Sequence, residues 1–86
     1  MIELDEIFEN IYSLIEANQG CPIEKRHKEF NFVKDGNLDS FALLSFIRDV
    51  EHIYSIQLSS DELQSEEIHL VEGLVEIIIY KQNNLN

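Results

Sequence analysis

The stretch Asp35-Gly36-Asn37-Leu38-Asp39-Ser40-Phe41 sets a serine where chemistry could occur. Turn-forming Asp35, Gly36 and Asn37 lead into Asp39-Ser40, and an apolar run follows at once: Phe41, Ala42, Leu43, Leu44, Phe46 and Ile47. That order predicts a helix N-terminus, where the first backbone N–H groups have no internal partners. Such an end favours negative charge, a phosphate ester included. Ser40 is read as the residue that carries one.

Plainer readings compete on these residues. Most serines in this position only cap their helix, which is worth about 1 kcal/mol. Asp35, Asn37 and Asp39 also stand at the one-three-five spacing of a calcium loop, but Ser40 occupies the glycine position and Phe46 the final glutamate position of such a loop. No metal site is therefore expected. Nor does the chain read as an enzyme. His27, His52 and His69 form no triad pattern with Ser40. Cys21 has only the basic cluster Lys25-Arg26-His27-Lys28 to activate it. Glu66-Glu67 is one acidic pair among many, and there is no glycine-rich phosphate loop.

The elements that position Ser40 follow from periodicity. Ile2 to Asn18 carries Leu4, Ile7, Phe8, Ile11, Leu14 and Ile15 on one helical stripe, stopped by Asn18, Gly20 and Pro22. Cys21 to Leu38 shows no period. Its basic cluster reads as a solvated patch that offsets nearby acids, with a docking role as the lesser reading, and Phe30, Phe32 and Val33 as anchors for a long loop. A second helix is predicted from Ser40 to Tyr54, with Leu44, Ile47, Val50 and Tyr54 inward, Leu43 and Ile53 near the edge, and Phe41 and Phe46 off the stripe. Those two aromatics are loop contacts or a binding surface. Ile56 and Leu58 read as an extended connector. Ser59 and Glu62 have capping-box spacing for a short helix. The last helix is predicted over Leu70 to Lys81, with Val71, Leu74, Val75, Ile78 and Ile79 inward and no good cap. A polar tail begins at about Gln82. The expected fold is all-α, a small antiparallel four-helix bundle of three main helices and one short, in a single domain over 1–86.

Charge and composition narrow the partners. The 86 residues hold 17 acidic and 6 basic side chains, a formal charge of −11, the wrong sign for nucleic acid or an anionic membrane. At 44% hydrophobic the chain is too apolar for disorder. One cysteine permits no internal disulfide, no apolar run can span a bilayer, and Met1 to Asn10 is acidic where a signal peptide is basic and apolar. A cytoplasmic monomer is expected.

Asp35 to Phe41, followed by Ala42-Leu43-Leu44-Ser45-Phe46-Ile47, resembles the attachment motif of the acyl carrier and peptidyl carrier proteins. Val50, Tyr54, Ile56, Leu58, Ser60-Asp61-Glu62-Leu63 and Ile68 to Leu74 extend the likeness over nearly the whole chain. The resemblance implies a carrier rather than an enzyme, with 4′-phosphopantetheine on Ser40 and cargo held as a thioester on its thiol. It implies that Asp39 helps a phosphopantetheinyl transferase bind. It also makes Phe41, Leu43, Ser45, Arg48 and Glu51 contacts for an acyl- or aminoacyl-activating ligase and downstream transferases. Fatty-acid carriers have a strongly acidic second helix. Here Asp49 and Glu51 are diluted by Ser45, Arg48 and His52, which points to a dedicated partner. Phe41 after the serine is also similar to D-alanine carriers and to stand-alone carriers of aminoacyl groups, while fatty acyl, hydroxyacyl and polyketide cargoes stay open. The alternative is an unmodified helical adaptor that binds through Phe41 and Phe46 on an exposed apolar face of helix 2.

Overall fold

The three-four spacing of the first segment produces helix α1 (Leu4–Gln19) in the computed structural model, which describes residues 4–36 and 38–84. Ile7, Phe8, Ile11, Tyr12 and Ile15 are its buried side chains. Leu4, expected on that stripe, is 48% exposed because it lies at the helix end, beyond the core. Tyr12 takes an inward place instead. Its ring lies under the Arg26 guanidinium, 5.5 Å from the centroid, and burial followed by the Glu9 charge pushes its hydroxyl pKa up. Gly20 ends α1 at φ +79°, and its N–H donates to the Glu16 carbonyl at 3.0 Å, the left-handed stop expected of that residue.

Helices α2 (Ser40–Tyr54), α3 (Ser60–Gln64) and α4 (Val71–Asn83) follow, with a 3-10 turn over Glu66–His69 between the last two. Among the described residues there is no strand, only a lone antiparallel bridge between Asn31 and Leu70. The fold is the expected all-α bundle, three long helices and one short, with α1 packed on both α2 and α4. Ser59 and Glu62 form the predicted box: Glu62 N–H donates to Ser59 Oγ at 3.1 Å, and Ser59 N–H to Glu62 Oε1 at 2.8 Å. Lys81 reaches the same carboxylate at 3.0 Å and ties α3 to α4. The Ser59 N–H, and then Lys81, hold the Glu62 carboxyl below the usual carboxylate range. Helix α4 buries Val71, Leu74, Val75 and Ile78 and leaves Ile79 half-buried. It continues past Lys81 through Asn83, so the first residues assigned to the tail are helical; Leu85 and Asn86, like Met1, Ile2 and Glu3, lie outside the described residues.

The long connection between α1 and α2 is pinned rather than free. Ile23, Phe30 and Phe32 are buried, while Val33 faces solvent. Phe32 meets Phe46 of α2 edge-on, 5.1 Å between centroids. The loop backbone closes the start of α4: Val71 N–H donates to the Phe30 carbonyl at 3.0 Å, Glu72 N–H to that of Lys28 at 2.9 Å, and Phe32 N–H to that of His69 at 3.1 Å. Within the basic cluster, Arg26 pairs with Glu9 and Glu16 of α1, and Glu16 Oε2 also accepts from Ile23 N–H at 2.8 Å.

Candidate functional site: the start of helix α2

Asp39, not Ser40, caps α2. Its backbone is extended (φ −80°, ψ 179°), and Oδ1 accepts from Ala42 N–H at 2.7 Å. Leu43 N–H then donates to the Asp39 carbonyl at 2.9 Å, the first bond of the helix. Ser40 is therefore the first helical residue. It is exposed, and among the described residues no group hydrogen-bonds its hydroxyl. The plain capping role weighed for Ser40 belongs to its neighbour.

The turn leading in is tight. A Cβ on Gly36 would come within 2.7 Å of the Phe32 carbonyl oxygen, so this position takes only glycine without a shift. Leu38 packs half-buried against the core and fixes the approach to Asp39. Asn37, the middle residue of the calcium spacing, lies outside the described residues, and Asp39 Oδ1 is engaged with Ala42.

Below Ser40 the helix is rotated from the expected phase. Phe46 is fully buried and Leu44 is 56% exposed, the reverse of the sequence reading. The inward residues are Phe46, Ile47, Val50 and Tyr54, because Phe32 from the loop seats on Phe46. Phe46 is therefore no binding surface, and an adaptor acting through it loses half of its contact. Ile53, placed near the stripe's edge, is 52% exposed.

Of the five residues expected to meet partners, three lie together. Phe41 (83% exposed), Ser45 and Arg48 line a shallow cleft of about 220 Å³ with Leu44 and Asp49. Leu43 lies apart, on an apolar crevice of about 110 Å³ between α2, the loop and the 3-10 turn, walled also by Phe32, Ile47, Leu63 and Ile68. Leu44 borders both. Glu51 turns away: its Oε2 accepts from Leu58 N–H at 2.9 Å and anchors the connector. Asp49 likewise accepts from Asn18 Nδ2 at 3.3 Å. Sequence reasoning missed the crevice's far wall, where His69 Nε2 lies 3.3 Å from the Leu63 carbonyl oxygen. Those residues are scattered across the chain, and the 3-10 turn that carries His69 is too short to show a period.

No family model matches the sequence. Over 77 residues it is 29% identical to the acyl carrier protein of Coprothermobacter proteolyticus, an alignment that takes in 90% of this chain and 92% of that one. The chain is similar to the acyl carrier proteins over nearly its whole length. The all-α bundle agrees with that likeness, which is to a carrier rather than to an enzyme. Among the described residues of this carrier-like chain, no helix is long and apolar enough to cross a membrane.

Proposed function

We propose that this chain is a carrier protein and that the Ser40 hydroxyl is the attachment point for 4′-phosphopantetheine. The observation that carries the reading is the division of labour at the start of α2, where Asp39 caps and Ser40 stays exposed, its oxygen without a hydrogen-bond partner among the described residues. The residues fit the group. A phosphodiester is anionic, and a helix start with unpaired N–H groups favours negative charge. When bound, the group supplies a thiol on a flexible arm that holds cargo as a thioester. Ser40 anchors the arm, and Asp39 keeps the helix start in shape and helps the phosphopantetheinyl transferase bind. Phe41, Leu44, Ser45 and Arg48 present the site to activating and transferring enzymes. A tethered substrate then meets those enzymes at high effective concentration.

The crevice bears on cargo. A cavity of about 150 Å³ lined by aliphatic and aromatic side chains takes a molecule such as benzene, so about 110 Å³ beside Leu43 suits a short acyl or side-chain-sized group rather than a long chain. Such a carrier acts in a pathway of short acyl or aminoacyl transfer, as a cytoplasmic monomer.

The test is the intact mass after incubation with coenzyme A and a broad-specificity phosphopantetheinyl transferase. The wild type gains one phosphopantetheinyl group and Ser40→Ala gains none while keeping its helical circular dichroism. A wild type that gains nothing leaves the adaptor reading, through Phe41 alone, in its place.

A further inference from the structure

We propose that the outer face of α2 docks on a partner surface built as an apolar pocket edged by carboxylates, a surface of the same sign as this chain's own net charge. The inference rests on the carrier reading for its partner and on geometry for its sign. Phe41, Leu44, Arg48 and His52 recur at spacings of three and four residues, form one stripe along α2, and are all exposed. The acids of the helix are engaged within the fold: Asp49, which borders the cleft beside Arg48, is half-buried and accepts from Asn18, and Glu51 is half-buried on Leu58 N–H. Among the described residues Arg48 forms no ion pair, whereas Arg26 and Lys81 are both committed to glutamates within the fold. The face is thus apolar at the Ser40 end and carries the Arg48 guanidinium about a turn beyond Leu44, in a protein of charge −11.

An exposed aromatic beside an arginine is the composition that interface anchors favour. A second copy of the chain is a poor occupant, because a two-fold contact sets a patch against itself and would bring Arg48 toward Arg48. A basic partner surface would meet the acidic remainder of the molecule more readily than this stripe. A carboxylate-edged surface is repelled elsewhere and accepted here. At physiological ionic strength charges farther apart than about 8 Å are largely screened, so the contact at Arg48 outweighs the distant net charge once the surfaces meet. Like-charge repulsion elsewhere suppresses wrong orientations. Docking on this stripe also leaves Ser40, one residue before Phe41, at the edge of the contact.

The experiment places a photo-crosslinking amino acid at Ser45, within the cleft between Phe41 and Arg48, and irradiates host cells that express the chain. The adduct is mapped by peptide mass spectrometry and its yield compared for Arg48, Arg48→Lys and Arg48→Glu. Arg48→Glu is expected to lower the yield about tenfold, equivalent to about 1.4 kcal/mol, while Arg48→Lys retains most of it. Replacing a partner carboxylate near the adduct by lysine should restore the yield with Arg48→Glu. Undiminished yield with Arg48→Glu, a contact peptide rich in lysine and arginine, an adduct with a second copy, or no adduct at all would overturn the proposal. Phosphopantetheinylation of the wild type, followed by mass in the same cells, reports the carrier reading separately. A modified Ser40 with any of those four results sinks the docking surface alone.

Discussion

The starts of α4 and α2 meet the same need by opposite means. Every helix opens with N–H groups that lack intrahelical acceptors. At α4 these groups are covered by the fold: the carbonyls of Lys28 and Phe30 receive Glu72 and Val71, and no side chain caps the helix. At α2 a local side chain suffices, Asp39 to Ala42, and the rest of the helix mouth faces solvent with Ser40 on it. A helix start closed by distant backbone contributes to tertiary structure, whereas one closed by its own aspartate stays open to a ligand.

Gly73 offers the largest test of this contrast. A Cβ there would lie 1.8 Å from the Glu67 carbonyl oxygen and 2.6 Å from its carbon, so backbone rather than a movable side chain stands in the way. Gly73→Ala must push the 3-10 turn off α4 and disturb the junction that receives the loop. Overpacking of this kind costs about 3 kcal/mol or more where nothing can yield, which in a domain of this size lowers Tm by more than about 12 °C. Thermal unfolding followed by circular dichroism checks it. A drop of only a degree or two would mean that the closed start is softer than its geometry.

Asp39 gives the matching test at the open start. Asp39→Ala removes the cap and should destabilise the chain by about 1 kcal/mol, read from urea midpoints. Asp39→Asn keeps the acceptor and should stay close to wild type in stability. If the carboxylate also serves the transferase, Asp39→Asn still slows modification of Ser40 by coenzyme A. Equal modification rates in wild type and Asp39→Asn would confine Asp39 to capping.

The contrast also marks what could be read before the structure. Long periodic stripes gave α1, α2 and α4, and the Ser59–Glu62 spacing gave α3, because local pattern and local chemistry agree there. The missing cap of α4 was visible too, but its replacements are main-chain carbonyls of Lys28 and Phe30, which leave no mark in side-chain pattern. The reading that set Leu44 inward and Phe46 off the stripe failed for a related reason. Either can belong to an apolar stripe about 100° wide, and the Phe32 ring decides in favour of Phe46. At the site, Asp39-Ser40 marked the place. The plain reading gave the cap to Ser40, whereas Asp39 takes it, a swap that residue type alone does not reveal because both cap well.

A smaller effect is expected at the far end of α2. Ser55 ends that helix at φ 54°, in the left-handed region that Gly20 occupies after α1. Serine pays a steric penalty there that glycine does not, so Ser55→Gly should raise stability by about 0.5 kcal/mol after glycine's greater chain entropy is counted. Urea midpoints resolve a change of that size, and a loss would mean that the Ser55 side chain contributes more than its strain.

The smallest effect concerns the clamp that holds the loop supplying α4 with its acceptors. The Arg26 hydrogen bond, and then the Ile23 N–H, hold the Glu16 carboxyl below its ordinary value of 4.5. A folded-state pKa below the unfolded one stabilises the protein above the unfolded value, and the gain is lost as pH falls through the folded value. Exposed pairs of this kind are weakened by solvent, and acidification also relieves the self-repulsion of an acidic chain, which acts in the opposite direction. Wild-type unfolding alone therefore mixes two trends. Glu16→Gln separates them, because the amide oxygen can still accept from Ile23 N–H but carries no charge. The difference in urea midpoint between wild type and Glu16→Gln should be present at neutral pH, narrow below about pH 4.5 and vanish at the acid end. A difference that holds constant across that range would assign the clamp to shape and packing, with Arg26 stacked over Tyr12 as its substance.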